Sequence, residues 1–383
     1  MDEKGYVVFP NALSRKKCKK LTTKLMNETV NIVFTNRGYD VTQFNLQDRI
    51  QLLVDPKRRK DVFGEEANNS VWRNGNSRKP IHSKSCGMIN IHYYPKLLKY
   101  VTLNSKLYRN MAEVYEYEDL VHTQGFERVG IKPQGTPDMD KHFDINPFNK
   151  DVNYDDSIRH RIQSLITLSI DEECNARDSG TIEMIPYFHL YFEFFSHLCH
   201  PVTGLGKCKM KGSKVRFFPL PNGEDGWDKH ILPSIRKYSK EYRRYLSKEK
   251  KGMTEEEKVF YKKLKKNNVC IPTTEHPLIW TPIKSNIGDH ILWDERIPHR
   301  NLRNRGKKAR VVAYYSLFPV DKDWYNSPER KWLRKQIRKR HIYYSNGKRN
   351  EIPVNIDEII HEEKVKELLS TEFAKKISGK IEW

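Results

Sequence analysis

The sequence predicts a mostly β domain with flanking helices, an α+β chain built on an antiparallel β core. Three observations carry that reading. Short β-rich segments bounded by turn residues recur between about 121 and 200, and again between about 276 and 320. Helical periodicity precedes and follows them. Between the two β-rich blocks, about 205–275, lies a highly charged stretch that reads as a helical insertion. The 383 residues are therefore expected to form a single domain, 1–383, closed by a basic helical segment from about 322 to 383.

Taken in order, "GYVVFP" opens the chain as a short strand. "NALSRKKCKKLTTKLMNETV" follows, with Ser14 placed as an N-cap and Leu21, Leu25 and Met26 on one helical face. The polar, Asn- and Arg-rich stretch at about 34–85 yields no element. "PKLLKYVTLNSKLYRNMAEVYE" reads as a helix. The β character starts with "VHTQGFERVGIKP" and continues through "HRIQSLITLSID" and "SGTIEMIP". The insertion carries two helical stretches, "PSIRKYSKEYRRYLSKEKKG" and "TEEEKVFYKKLKKNN", whose basic faces are expected to be solvated. Strands resume in "LIWTPIKSNIGDHILWD", where Gly288-Asp289 reads as a turn, and in "ARVVAYYSLFPV".

Composition narrows the function classes. Lys and Arg number 70 against 49 Asp and Glu, a net charge of +21, which favours acidic or phosphate-bearing partners and keeps nucleic acid open. The six cysteines form no CxxC pair, so they read as reduced thiols rather than a disulfide framework. No basic segment followed by an apolar run opens the sequence, and no apolar run approaches the ~18 residues of a membrane span. A soluble, intracellular protein of cytoplasm or nucleus is expected. No sequence feature specifies an oligomeric state.

The chemistry centres on "MDKHFDINPF". Residues two apart on a strand project to one face, so His142 and Asp144 can meet one ion while Phe143 points away. A mononuclear iron(II) oxygenase needs two imidazoles and one carboxylate, with the remaining positions open. A distant histidine must then complete the set. "GDHILWDERIPHRNLRNRGKKARVVAYYSLFP" offers His290 and His299. Arg310 follows His299 by eleven positions and opens a strand, where its planar fork suits a carboxylate. His361-Glu362-Glu363 is a weaker local candidate, in helical surroundings with no histidine after it. His197, Cys199, His200 and Cys208 lie close together, but their spacing matches no strong zinc pattern.

The order Gly5-Tyr6-Val7-Val8, His142-x-Asp144, Ser179-Gly180 before "IEMIPYFHL", Gly288-Asp289, Trp293, Arg296, Pro298-His299 and Arg310 resembles the phytanoyl-CoA dioxygenase family. The closing "LSTEFAKKISGKIEW" is similar to the final helix and tryptophan of many members. The resemblance implies a double-stranded β-helix (jelly-roll) core and an iron(II)/2-oxoglutarate oxygenase using dioxygen. It implies His142, Asp144 and His299 as metal ligands and Arg310 as the 2-oxoglutarate anchor. It further implies Lys132 and Asn301 beside the co-substrate, and Trp293 and Arg296 supporting the distal histidine. The "Pro-Gly-Ser-His" turn of the family reads "IPYFHL" here, which leaves His189 without an assigned role. The leading expectation is a hydroxylase of an anionic substrate such as a nucleotide, a nucleic acid or a phosphorylated or CoA-linked metabolite. A protein side-chain hydroxylase and a non-catalytic nucleic-acid-binding jelly-roll are the alternatives.

Overall fold

A computed structural model of the chain describes residues 1, 3–35, 39–64, 88–90, 95–122, 128–148, 162–198, 200–203, 218–220, 226–328, 330–331 and 358–382. The protein is a mixed α/β structure whose strands pair antiparallel. A six-stranded sheet takes β1 (Tyr6–Phe9), β2 (Met88–Asn90), β4 (Arg128–Lys132), β6 (Ile162–Ser169), β10 (His290–Asp294) and β12 (Arg310–Tyr315), in the order β1-β10-β6-β12-β4-β2. A five-stranded sheet takes β5 (His142–Phe143), β7 (Ile182–Met184), β8 (Phe218–Pro219), β9 (Thr281–Pro282) and β11 (His299–Asn301), in the order β8-β5-β11-β7-β9. β3 (Leu120–His122) and β13 (Leu317–Pro319) make a separate ribbon.

The β periodicity explains how the sheets stack. On β6, Ile166 and Leu168 face one way and Leu165 the other. Leu165 joins Ile182, Met184, Ile291, Trp293, Ile297 and Val312 in a core between the two sheets. Ile166 and Leu168 join a larger core on the outer face of the six-stranded sheet. There they meet Leu21 and Leu25 of α1 (Arg15–Thr35), both fully buried as the helical spacing predicts. The side chain of Met26 lies outside the described residues. The Gly288-Asp289 turn is present. Gly288 sits at φ 95 with its would-be Cβ 2.0 Å from the carbonyl oxygen of Leu13, a place only glycine can occupy. Asp289 accepts hydrogen bonds from the Asn11 and Asn286 amides and ties the amino-terminal loop to β10.

The structure departs from the sequence reading at three places. The stretch at 34–85 contains two helices, α2 (Leu46–Val54) and α3 (Pro56–Phe63), with residues 65–87 outside the described set. Their start signals are local: Asn45 accepts from the Asp48 amide, and Asp55 precedes Pro56 at the first helical position. The helix expected from Pro95 onward breaks at Asn104, which caps α4 (Ser105–Tyr115) by accepting from the Lys106 and Leu107 amides. The expected insertion carries more than solvated helices. α5 (Phe192–His197) packs with α6 (Leu232–Leu246) and α7 (Glu255–Lys266) around a third core that includes Trp227, Ile235, Tyr242, Phe260 and Leu264. Most of "KCKMKGSKVRFFPLPNGEDGW" lies outside the described residues. In the basic carboxyl-terminal segment, α8 (Glu358–Ser370) and α9 (Glu372–Ile377) are helical, and residues 332–357 and Trp383 lie outside the described set. No helix among the described residues is long and apolar enough to cross a membrane.

Candidate metal centre

β5 is two residues long and lies between β11 and β8. His142 pairs directly with His299 across the β5–β11 ladder, which sets the two imidazoles side by side with ring centroids 4.4 Å apart. Strand alternation turns Phe143 to the opposite face. It is fully buried among Phe188, Phe192, Phe195 and Trp227, with ring centroids 5.4 to 6.0 Å away. The triplet His142-Phe143-Asp144 is thus split between the side that His299 faces and an aromatic anchor.

Asp144 completes the set. Its Oδ1 lies 3.7 Å from His142 Nε2 and its Oδ2 3.7 Å from His299 Nε2. Ligand atoms from the three residues lie within 4.8 Å of one another, and this is the one such group among the described residues. The other ring nitrogens are committed. His142 Nδ1 lies 2.7 Å from the Asp140 carbonyl oxygen, and His299 Nδ1 lies 3.1 Å from that of Ile297. A carbonyl only accepts, so each Nδ1 carries the proton and each Nε2 lone pair faces the gap. Burial, reinforced by neighbouring His142, lowers the pKa of His299 and keeps it neutral, the state a ligand needs. Trp293 stands edge-on to His299 at 5.4 Å. Arg296 does not support His299. Its guanidinium binds Asp294 two residues away, at 2.6 to 3.1 Å.

Arg310 opens β12 and is 2% exposed. Its Nη1 donates to Asn301 Oδ1 at 2.9 Å, while Nε and Nη2 are buried without a hydrogen-bond partner among the described residues. Desolvation lowers its pKa to about 10. Asn301 lies two positions after His299 on β11, so it joins the arginine to the strand that carries His299. Buried donors left open on a cation are costly, and an anion supplied from outside would satisfy them. Lys132 pairs with Arg310 across the β4–β12 ladder. Its ammonium donates to the carbonyls of Pro137 (2.9 Å), Asn301 (3.4 Å) and Leu302. These bonds tie Lys132 to the loop that follows β4 and to the end of β11.

The remaining candidates stand apart from this centre. His290 is buried between Asn110 and Ser164 on the other side of the six-stranded sheet. His189 is buried, its imidazole close to where a side chain on Gly5 would project. His200 stacks on Phe260 at 4.7 Å, and Cys199 and Cys208 lie outside the described residues, as do the side chains of His361 and Glu362. The sequence reading missed Gln163, whose Nε2 donates to Asp144 Oδ2 at 2.7 Å. Nothing local marks it, because the contact crosses between the sheets.

No family model and no curated protein matches this chain. Solved structures do. A protein of Salmonella typhimurium LT2 described as an oxidoreductase is 9% identical, with a TM-score of 0.50 over 98% of this chain and 80% of that one. At that level it shares the fold. EctD from S. alaskensis, solved with 2-oxoglutarate and 5-hydroxyectoine, is 13% identical, with a TM-score of 0.39 over 83% of this chain and 73% of that one. HygX from Streptomyces hygroscopicus, solved with nickel, 2-oxoglutarate and hygromycin B, is 11% identical, with a TM-score of 0.38 over 83% and 84%. The two-histidine, one-carboxylate set, with both imidazoles buried, their tautomers fixed and Asp144 half-buried, is consistent with iron(II), 2-oxoglutarate and dioxygen.

Proposed function

We propose that the protein is an iron(II)/2-oxoglutarate-dependent dioxygenase, a hydroxylase, on a double-stranded β-helix core akin to that of the phytanoyl-CoA dioxygenase family. One observation carries the reading. The His142–Asp144–His299 set, its imidazoles buried and its carboxylate half-buried, is linked through Asn301 on the His299 strand to a buried arginine holding two open donors. In this reading His142, Asp144 and His299 hold iron on one face, and Arg310 takes the far carboxylate of 2-oxoglutarate. When bound, iron and 2-oxoglutarate would supply oxidation by dioxygen, one oxygen atom ending in succinate as carbon dioxide leaves and the other in the hydroxyl group of the substrate. The chain's own part is positional. The carbonyls of Asp140 and Ile297 fix the imidazole tautomers, and Asn301 sets the arginine fork. The core around Trp293 and Val312 keeps water from the inter-sheet side. The net charge of +21 supports an anionic substrate.

The test is anaerobic. Iron(II) and then 2-oxoglutarate are added to the purified protein, the visible charge-transfer band of the chelate is recorded, and succinate is assayed after oxygen is admitted. A band and succinate are expected. His142→Ala should lose iron binding. Arg310→Ala should keep iron but weaken 2-oxoglutarate by about 2–5 kcal/mol, the cost of truncating one partner of a buried charge pair. Full iron stoichiometry in His142→Ala would refute the ligand assignment. Absence of the band and of succinate in the parent protein would refute the oxygenase.

A further inference from the structure

The metal ligands belong to the five-stranded sheet and to the residue just after β5, yet part of their support comes from the facing sheet. Gln163 on β6 and Trp293 on β10 are direct partners across the antiparallel β6–β10 ladder. They share a face with Leu165 and Ile291, in the core between the sheets. Gln163 reaches the carboxylate ligand, its Nε2 2.7 Å from Asp144 Oδ2. Trp293 reaches the distal imidazole, edge-on to His299 at 5.4 Å. The amide orientation of Gln163 is settled by chemistry, because an ionised carboxylate accepts and only the NH2 end can donate to it.

Both side chains pay for this placement. Gln163 Oε1 and Trp293 Nε1 are buried without a hydrogen-bond partner among the described residues. A glutamine and a tryptophan present only for packing are ordinarily placed so that buried polar atoms find partners. Here one end of the amide is given to Asp144 and the other is left open. Violations of that kind gather at functional sites.

We propose that Gln163 is a positioning residue of the metal centre, with Trp293 as its cross-strand partner. Gln163 holds the Asp144 carboxylate in the orientation that presents an oxygen to the ion shared with His142 and His299. Trp293 holds the His299 ring from the same ladder. The pair couples the six-stranded sheet to a metal site carried by the other sheet. The inference rests on the metal-centre reading of the triad and extends it to a residue of the facing sheet.

Cobalt(II) is the probe, because its binding and its visible ligand-field spectrum report on the site without turnover. The full chain and its Gln163→Met variant, which keeps an unbranched side chain and removes the donor, are titrated with cobalt(II). The melting temperature of each metal-free protein is measured alongside. The expected result is a metal-free Gln163→Met protein that melts near the parent. Its cobalt(II) affinity falls by about 10–100-fold, the usual effect of losing an outer-sphere partner, and its spectrum changes shape as the carboxylate is released. Gln163→Leu, of similar volume, repeats the measurement if methionine prevents folding. Parent-like affinity and spectrum in a folded variant overturn the positioning role and leave the metal centre standing. Failure of the parent itself to bind cobalt(II) overturns both, so the two failures are distinguishable.

Discussion

At the scale of single residues, the protein keeps a neutral histidine where water cannot reach it. Asn110 Nδ2 donates to His290 Nδ1, and His290 Nε2 lies 2.8 Å from Ser164 Oγ, which itself donates to the Tyr315 carbonyl. Burial alone lowers the pKa of His290 to about 3, against about 6.5 in an unfolded chain. Above about pH 6.5 neither state binds the proton, and the residue has no effect. As pH falls below that value the unfolded chain binds a proton that the folded one refuses. Stability is then lost at up to about 1.4 kcal/mol per pH unit down to about pH 3. Urea midpoints from pH 7 to 4 should show that slope, and His290→Gln should flatten it by about one proton. The same scale shows what sequence can reveal. That His142 and Asp144 share a face was legible because strand alternation is a local rule, and Arg310 was singled out because it opens a strand eleven positions after His299. The resemblance pointed to His299 over His290, and the faces of β10 and β11 separate the two in the fold. Gln163 and the carbonyl partners of Lys132 were invisible, since each depends on a contact across many residues.

At the scale of elements, β5 is too short to hold itself. Its backbone pairs with β11 on one side and with β8 on the other, and Phe143 pins it into the aromatic core of the helical insertion. Lys141, just before it, is paired with Asp228, and Trp280 Nε1 donates to the same carboxylate at 2.7 Å. The insertion therefore packs directly against the strand that carries His142. Phe143→Ala should cost about 3–5 kcal/mol of stability, the usual range for emptying an aromatic core position. It should weaken metal binding too, because the strand loses its anchor, and a metal titration beside a urea melt checks both. An isolated loss of stability with unchanged metal affinity would mean β11 alone holds His142. The insertion's charge is partly explained by its own helices. Thr254 and Glu257 form a capping box at the start of α7, Glu255 and Glu256 fill its first turn, and Lys263, Lys265 and Lys266 lie at its last. That distribution answers the helix dipole. The helices were legible from such signals. The core beneath them was not, because Phe188 and Phe195 belong to a different stretch of sequence and meet Trp227 only in the fold.

At the scale of the whole molecule, two sheets meet over an apolar core, and the metal set lies at that meeting. A ligand that binds only the folded form should raise its stability by about 2.7 kcal/mol at a hundred times its dissociation constant. Thermal melts with iron(II) and 2-oxoglutarate together should therefore shift upward beyond either alone, and His142→Ala should abolish the shift. The net charge of +21 predicts a second behaviour. If the partner is a nucleic acid, affinity should fall steeply with salt, in proportion to the phosphates neutralised. A flat salt response would direct the search to small anionic substrates or to protein. The general architecture, β core with helices before, within and after, was readable from segment character. Which strand lies beside which was not, since the order β1-β10-β6-β12-β4-β2 brings together segments from both ends of the chain.

That strand order has a consequence during synthesis. β1 finds its partner only when β10 exists, because Tyr6 pairs with Trp293 some 287 positions later. At ~5–20 residues per second a ribosome takes roughly 15–60 s to cover that distance. For that interval the "YVVF" strand lacks the β10 partner it has among the described residues. The newborn protein thus depends on whatever shields an unpaired edge in the cell, and overexpression that outruns such chaperones should yield aggregates.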